Sequence, residues 1–140
     1  MIIKYQSFIN LNLLIVKYEG VFCIDKYKAQ VIDMVQKPEW EFIDKVLVDL
    51  RFCKIDLQME DLSKLVEIKQ QIIKKKHKSV QLVDEPMNTA FVHILQTEFK
   101  TNKSIDIDYC CTVKRAIEIL ELKSNTTEIN NMLNNLENTF

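Results

Sequence analysis

Asp49, Arg51, Asp84, Glu85, Thr89 and Thr112 are the side chains whose types and positions could do chemistry together. Asp49 and Arg51 close the apolar run Val46-Leu47-Val48, and Asp84 and Glu85 close Val80-Gln81-Leu82-Val83. In open parallel sheets, ligands bind beyond the carboxyl ends of the strands. Residues far apart in sequence can therefore meet at one edge. A carboxylate pair beside an arginine can move protons. The same residue types also cap helices and pair with one another, so the set defines a candidate small-ligand pocket of Asp49, Arg51, Asp84, Thr89 and Thr112 and names no reaction. No residue is assigned as catalytic.

Other chemistries lack their residues. Gly20 is the one glycine of the chain. A phosphate-cradling loop or a dinucleotide fingerprint needs several glycines, so that backbone N–H groups can approach phosphate. The four cysteines, Cys23, Cys53, Cys110 and Cys111, form no CxxC pair, and His77 and His93 are the only histidines. This spacing gives no zinc motif and fits reduced thiols. No cofactor and no metal are expected. The basic run Lys74-Lys75-Lys76-His77-Lys78 is read as the cationic end of a helix rather than a nucleic-acid patch. The net charge of −1 gives no general attraction to nucleic acid.

The elements that would position these residues follow from periodicity. The 140 residues suit one domain with one core, and a hydrophobic content of 47% argues against disorder. Ile2 to Ile9 and Leu13 to Glu19 read as two strands joined by a turn at Asn10-Leu11-Asn12, with Gly20 ending the second. Ile24 to Gln36 carries an apolar stripe at helical spacing and stops before Pro38; Trp40 is expected to plug the core beneath the loop that follows. Val46 to Leu50 is a third strand, followed by a loop from Arg51 to Gln58. A helix starts near Met59, with Leu62, Leu65, Val66, Ile72 and Ile73 inward. Val80 to Val83 is a fourth strand, Met87 to Phe99 a helix with Met87, Phe91, Ile94, Leu95 and Phe99 inward, and Ile105 to Tyr109 a fifth strand. Val113 to Leu122 is a helix capped by Thr112 or Cys111.

The expected order is β-β-α-β-α-β-α-β-α. It predicts an α/β domain over residues 1–123 with a mixed, mainly parallel five-stranded sheet in two or three layers and an N-terminal antiparallel hairpin. Residues 124–140 are rich in asparagine, yet Ile129, Met132, Leu133, Leu136 and Phe140 keep a helical period. They read as a marginal amphipathic helix, with Thr127 as a cap, that needs a surface from its own domain or from a neighbouring subunit. The N-terminus shows no signal-peptide pattern, and no segment reaches the length of an apolar membrane span. A cytoplasmic location is expected.

This layout resembles the STAS-like family of small domains related to sporulation anti-sigma-factor antagonists. The matching segments are Leu13 to Gly20, Val46 to Arg51, Glu60-Asp61-Leu62, Asp84 to Phe91, and Cys111 to Ala116, the last resembling the family's Ser-Thr-x-x-x-Ala helix start. The resemblance covers about residues 1–122 and implies a non-enzymatic regulatory module that binds proteins. In the antagonists, a serine or threonine at the start of the helix after the third strand is phosphorylated. Arg51 to Met59 contains no hydroxyl, and Ser63 falls a turn later. The resemblance therefore implies the fold and an interaction surface without the phospho-switch.

Two functional readings stay open. In the first, Arg51, Phe52, Ile55, Leu57 and Met59 form a surface for a protein partner, because an exposed apolar cluster marks an interaction site; self-association as a homodimer, through the tail or the hairpin edge, is compatible with it. In the second, the strand ends hold the small-ligand pocket described above.

Overall fold

Alternation along the two central strands decides the layering. The computed structural model describes all residues, Met1–Phe140. Strands β1 (Ile2–Phe8), β2 (Leu13–Val21), β3 (Lys45–Lys54), β4 (His77–Leu82), β5 (Ile105–Cys110) and β6 (Asn138–Thr139) form one sheet in the order β5-β4-β3-β2-β1-β6. β1 runs antiparallel to β2 and to β6; the pairs from β2 to β5 are parallel. The mixed, mainly parallel α/β sheet expected from the sequence is thus present, with the two-residue β6 added at the β1 edge.

Side chains of a strand alternate between faces. Leu14, Val16, Tyr18, Val46, Val48 and Leu50 enter the larger core, while Leu13, Ile15 and Leu47 enter a second, smaller one. Helices α1 (Ile24–Gln36), α2 (Met59–Ile72) and α3 (Pro86–Glu98) cover the first face. They are the crossovers that step from β2 to β5 in one direction, and same-handed crossovers stepping one way lie on one face. Helices α4 (Val113–Ile119) and α5 (Thr126–Asn134) cover part of the other face through Val113, Ala116, Leu120, Ile129 and Leu133. The domain has three layers.

Several boundaries differ from the sequence reading. β2 does not stop at Gly20; Gly20 takes φ +85 and the strand continues to Val21. β3 runs through Arg51–Lys54, which the sequence reads as loop. α2 ends at Ile72, and His77 and Lys78 open β4 instead of closing the helix. Its third buried residue is Ile68, with Val66 and Ile72 only half-buried. Met87 is 73% exposed, and the buried stripe of α3 is Asn88, Val92 and Leu95. Trp40 is buried edge-on against His77, with ring centroids 5.7 Å apart. The tail finds its surface on its own sheet: Ile129 and Leu133 are buried with Leu13 and Ile15, and β6 pairs with Lys4 and Tyr5 of β1. Its cap is Asn125, whose side chain accepts from the Glu128 N–H, rather than Thr127.

Candidate functional site

A β-bulge near the end of β3 builds the site. Lys17 pairs with Asp49, but Glu19 pairs with Phe52, so β3 carries one extra residue over this stretch. The cause lies in the sequence Asp49-Leu50-Arg51. The Arg51 N–H and Nε both donate to Asp49 Oδ1, at 3.1 and 2.8 Å, and Arg51 Nη2 donates to Oδ2 at 2.7 Å. This bracket folds the strand on itself, and such bulges re-aim the side chain that follows. Asp49 is fully buried, and its hydrogen bonds raise the Arg51 pKa further, with the charge of Asp84 adding to the effect.

The bulged end is tied down from α3. Asn88 is buried; its Nδ2 donates to the carbonyls of Leu50 and Cys53, at 3.3 and 2.8 Å, and its Oδ1 accepts from the Ile55 N–H at 3.4 Å. One side chain thereby satisfies three backbone groups of a chain that has left regular pairing. Asn88 is not among the candidate residues that the sequence pattern picks out. Its signal is its place four and seven residues before Val92 and Leu95, on the inward stripe. Beyond the bulge, the Gln58 N–H donates to Asp61 Oδ2 at 3.1 Å as half of a capping box that starts α2.

The bulge sets two rows across β1, β2 and β3 on the face that α4 and α5 leave open at this end. The inner row is Lys4, Lys17 and Asp49; the outer row is Ile2, Glu19 and Phe52. Lys4 and Lys17 converge on Glu19 Oε1 at 3.2 and 3.4 Å. Partial burial raises the Glu19 pKa, but the two lysines outweigh it and hold the carboxyl below its ordinary value. Phe52, 58% exposed, has Lys17 Nζ 4.4 Å from its ring centroid and Arg51 Cζ at 5.8 Å. Cations over a ring face fix its orientation. Five of the eight exposed large apolar side chains, Ile2, Val21, Phe52, Met59 and Met87, stand at this end of the sheet. Met59 and Met87 open α2 and α3 on the covered face, whereas Ile2 and Phe52 share one row on the open face, and apolar side chains gathered on an open face are less ordinary than single ones. Of the surface residues read from sequence, Phe52 and Met59 are exposed, Arg51 and Leu57 are half-buried, and Ile55 is buried in the larger core, against which Leu57 also packs, so the five do not form one surface.

The residues of the alternative ligand pocket are divided. Asp49 and Arg51 occupy each other. Thr112 Oγ1 accepts from the Arg115 N–H at 3.2 Å and caps α4. Thr89 Oγ1 donates to the Glu85 carbonyl at 2.8 Å. Asp84, Glu85 and Thr89 share an open groove with His93, Tyr109 and Cys111, and His93 Nδ1 lies 3.0 Å from Tyr109 Oη. Burial pushes the Cys53 and Cys110 thiols up to about 11, which suits structural rather than reactive thiols. No three His, Cys, Asp or Glu side chains converge as a metal cage, and no helix is long and apolar enough to cross a membrane.

No family model and no curated protein matches the chain. In fold alone, the chain is similar to the structure of the anti-sigma factor antagonist SpoIIAA in its unphosphorylated form, with 8% identity over 85% of this chain and 97% of that chain and a TM-score of 0.47.

Proposed function

We propose that the chain is a non-enzymatic regulatory or protein-interaction module that docks a protein partner, or a second copy of itself, on the open end of the sheet. The observation that carries this reading is Phe52. The Asp49–Arg51 bracket and the Asn88 clamp hold a large aromatic side chain outward, in a row with Glu19 and the exposed Ile2. Rigid exposed aromatics with cationic neighbours are what partner-binding surfaces use as anchors. Arg51 belongs to this surface as the support of the Phe52 ring, whereas Leu57 and Ile55 pack with the larger core under the helices. The alternative, a small ligand held by Asp49, Arg51, Asp84, Thr89 and Thr112, has less support, because the one arginine is already neutralised and Thr112 is spent on a cap.

Affinity capture from lysate with wild type, Phe52→Asp and Ile2→Asp tests the reading, with light scattering reporting self-association. Both variants should keep the wild-type Tm and lose the bound protein or the higher mass. Wild-type capture and mass in both variants would refute it.

A further inference from the structure

β4, second from the β5 edge of the sheet, carries a polar stripe where the core is otherwise apolar. His77, Ser79 and Gln81 of β4 are all buried and line the layer under the helices, while β3 and β5 present Val46, Val48, Leu50, Ile105 and Ile107 to that layer. Buried polar groups cost stability unless they find partners. Part of the stripe is satisfied locally: Gln81 Nε2 donates to Ser79 Oγ at 2.6 Å, and across the layer Tyr18 Oη donates to Gln30 Oε1 at 3.1 Å.

Between this stripe and α1, α2 and α3 lies a cavity of ≈ 60 Å³. Tyr27 of α1 lines it, 5% exposed, and its hydroxyl is the one buried side-chain polar atom without a hydrogen-bond partner. An orphaned hydroxyl in a native core calls for a partner. Most of the polar atoms that line the cavity are spoken for, Tyr18 by Gln30 and Gln81 by Ser79, which leaves the Tyr27 hydroxyl as the group that a guest can engage. The volume is several times the roughly 10–15 Å³ that admits one water and below the roughly 150 Å³ of an engineered cavity that takes benzene. A ring therefore enters only with movement of the wall. The half-buried lining residues, Phe22, Met34, Lys69 and Phe91, are where the wall meets solvent. Met34 is a side chain that re-packs readily.

We propose that this cavity binds a small uncharged amphipathic molecule, no larger than one substituted ring, with its polar group on the Tyr27 hydroxyl and its apolar body against Val16, Val46 and Val48. The lining carries no buried counter-charge. Its one cation, Lys69, sits 5.6 Å from the Tyr27 ring centroid, and burial pushes His77 down to about 4, leaving it neutral at pH 7. An ion would lose its hydration there without compensation.

Phenol is the probe, with benzene and benzoate as comparisons, followed by methyl NMR on the full chain. Phenol should shift the methyls of Val16, Val46 and Val48, leave Val21 on the open face unmoved, and raise Tm. Benzene should bind about tenfold more weakly, as loss of one hydrogen bond predicts, and benzoate should not bind. Tyr27→Phe should fold with an unchanged or higher Tm and bind phenol about tenfold more weakly, matching its affinity for benzene. Absence of methyl shifts with phenol, binding of benzoate in preference to phenol, or wild-type affinity in Tyr27→Phe would each overturn the proposal. Capture of a protein partner does not depend on any of these results, so this site and the Phe52 surface fail separately.

Discussion

The two faces of the sheet are built to different degrees of completion. The face under α1, α2 and α3 has a core of 23 buried residues and is covered along the strands, yet it encloses a cavity and a polar stripe. The face under α4 and α5 has a core of 11, nearly all aliphatic, and its helices stop before the β1–β2–β3 end. The first face has its imperfection inside, where it can hold a small molecule. The second is well packed where it exists and simply ends, leaving Ile2, Glu19 and Phe52 open. Buried polar groups and gathered exposed apolar groups are both costs to a fold, and each points to something that would relieve it.

The small core is the most sensitive part of the molecule to a cavity. Leu47 is fully buried between β3 and the α4–α5 layer. Leu47→Ala should cost about 3–4 kcal/mol by chemical denaturation, because a cavity opens in a region with no slack. A loss below about 1 kcal/mol would mean that the small face is as loose as the large one.

The large face has its own sensitivity in His77. Burial pushes its pKa from 6.5 down to about 4, with Lys69 and Lys75 reinforcing the shift and Asp106 and the Lys75 carbonyl opposing it. The unfolded chain therefore binds the extra proton first as pH falls. Stability from this residue is complete above about pH 6.5 and is lost as pH drops toward 4, by roughly 3 kcal/mol at about 1.4 kcal/mol per unit. His77→Phe keeps the edge contact with Trp40 and should flatten that part of the pH profile. An unchanged slope in the variant would assign the acid sensitivity to carboxylates instead.

Between the two faces stands the Asp49–Arg51 bracket. Asp49→Ala removes the partner of a half-buried guanidinium and should cost about 2 kcal/mol, below the value for a fully buried pair because Arg51 still reaches solvent. It should also release the bulge, so that the Lys17 signals lose the ring-current shift from Phe52. Retention of that shift would show that Asn88 alone holds the strand end. Smallest in stability is Phe52→Asp, expected within about 0.5 kcal/mol of wild type because the ring is exposed.

How much of this was legible in the sequence depends on whether a residue's pattern was local. The hairpin and the three strand–helix units repeat at periods of 2 and 3.6, and α1 and the start of α2 fall where those periods place them. The end of β3 reads as loop because the bulge breaks the alternation at Arg51 and Phe52. The start of β4 was read as a helix end because His77 faces inward from a run of lysines. The Arg51–Met59 stretch was visible as an apolar-rich segment, but which members stay exposed depends on where α4 and α5 stop, a long-range outcome. Tyr27 was readable as a buried helix residue; that its hydroxyl finds no partner depends on β4, fifty residues away in sequence. Asn88 was hidden because an asparagine in a first helical turn ordinarily reads as a local cap.

If the open Phe52 end is the docking surface, an equally apolar residue elsewhere must be dispensable. Phe42, equally apolar and 50% exposed, lies in the turn before β3 at the opposite end of the parallel strands and provides the control. The deciding measurement is partner capture from lysate with wild type, Phe52→Asp and Phe42→Asp, quantified side by side. Docking at Phe52 leaves capture at wild-type level in Phe42→Asp and abolishes it in Phe52→Asp, with both variants folded. Capture retained by Phe52→Asp and lost in Phe42→Asp would contradict it.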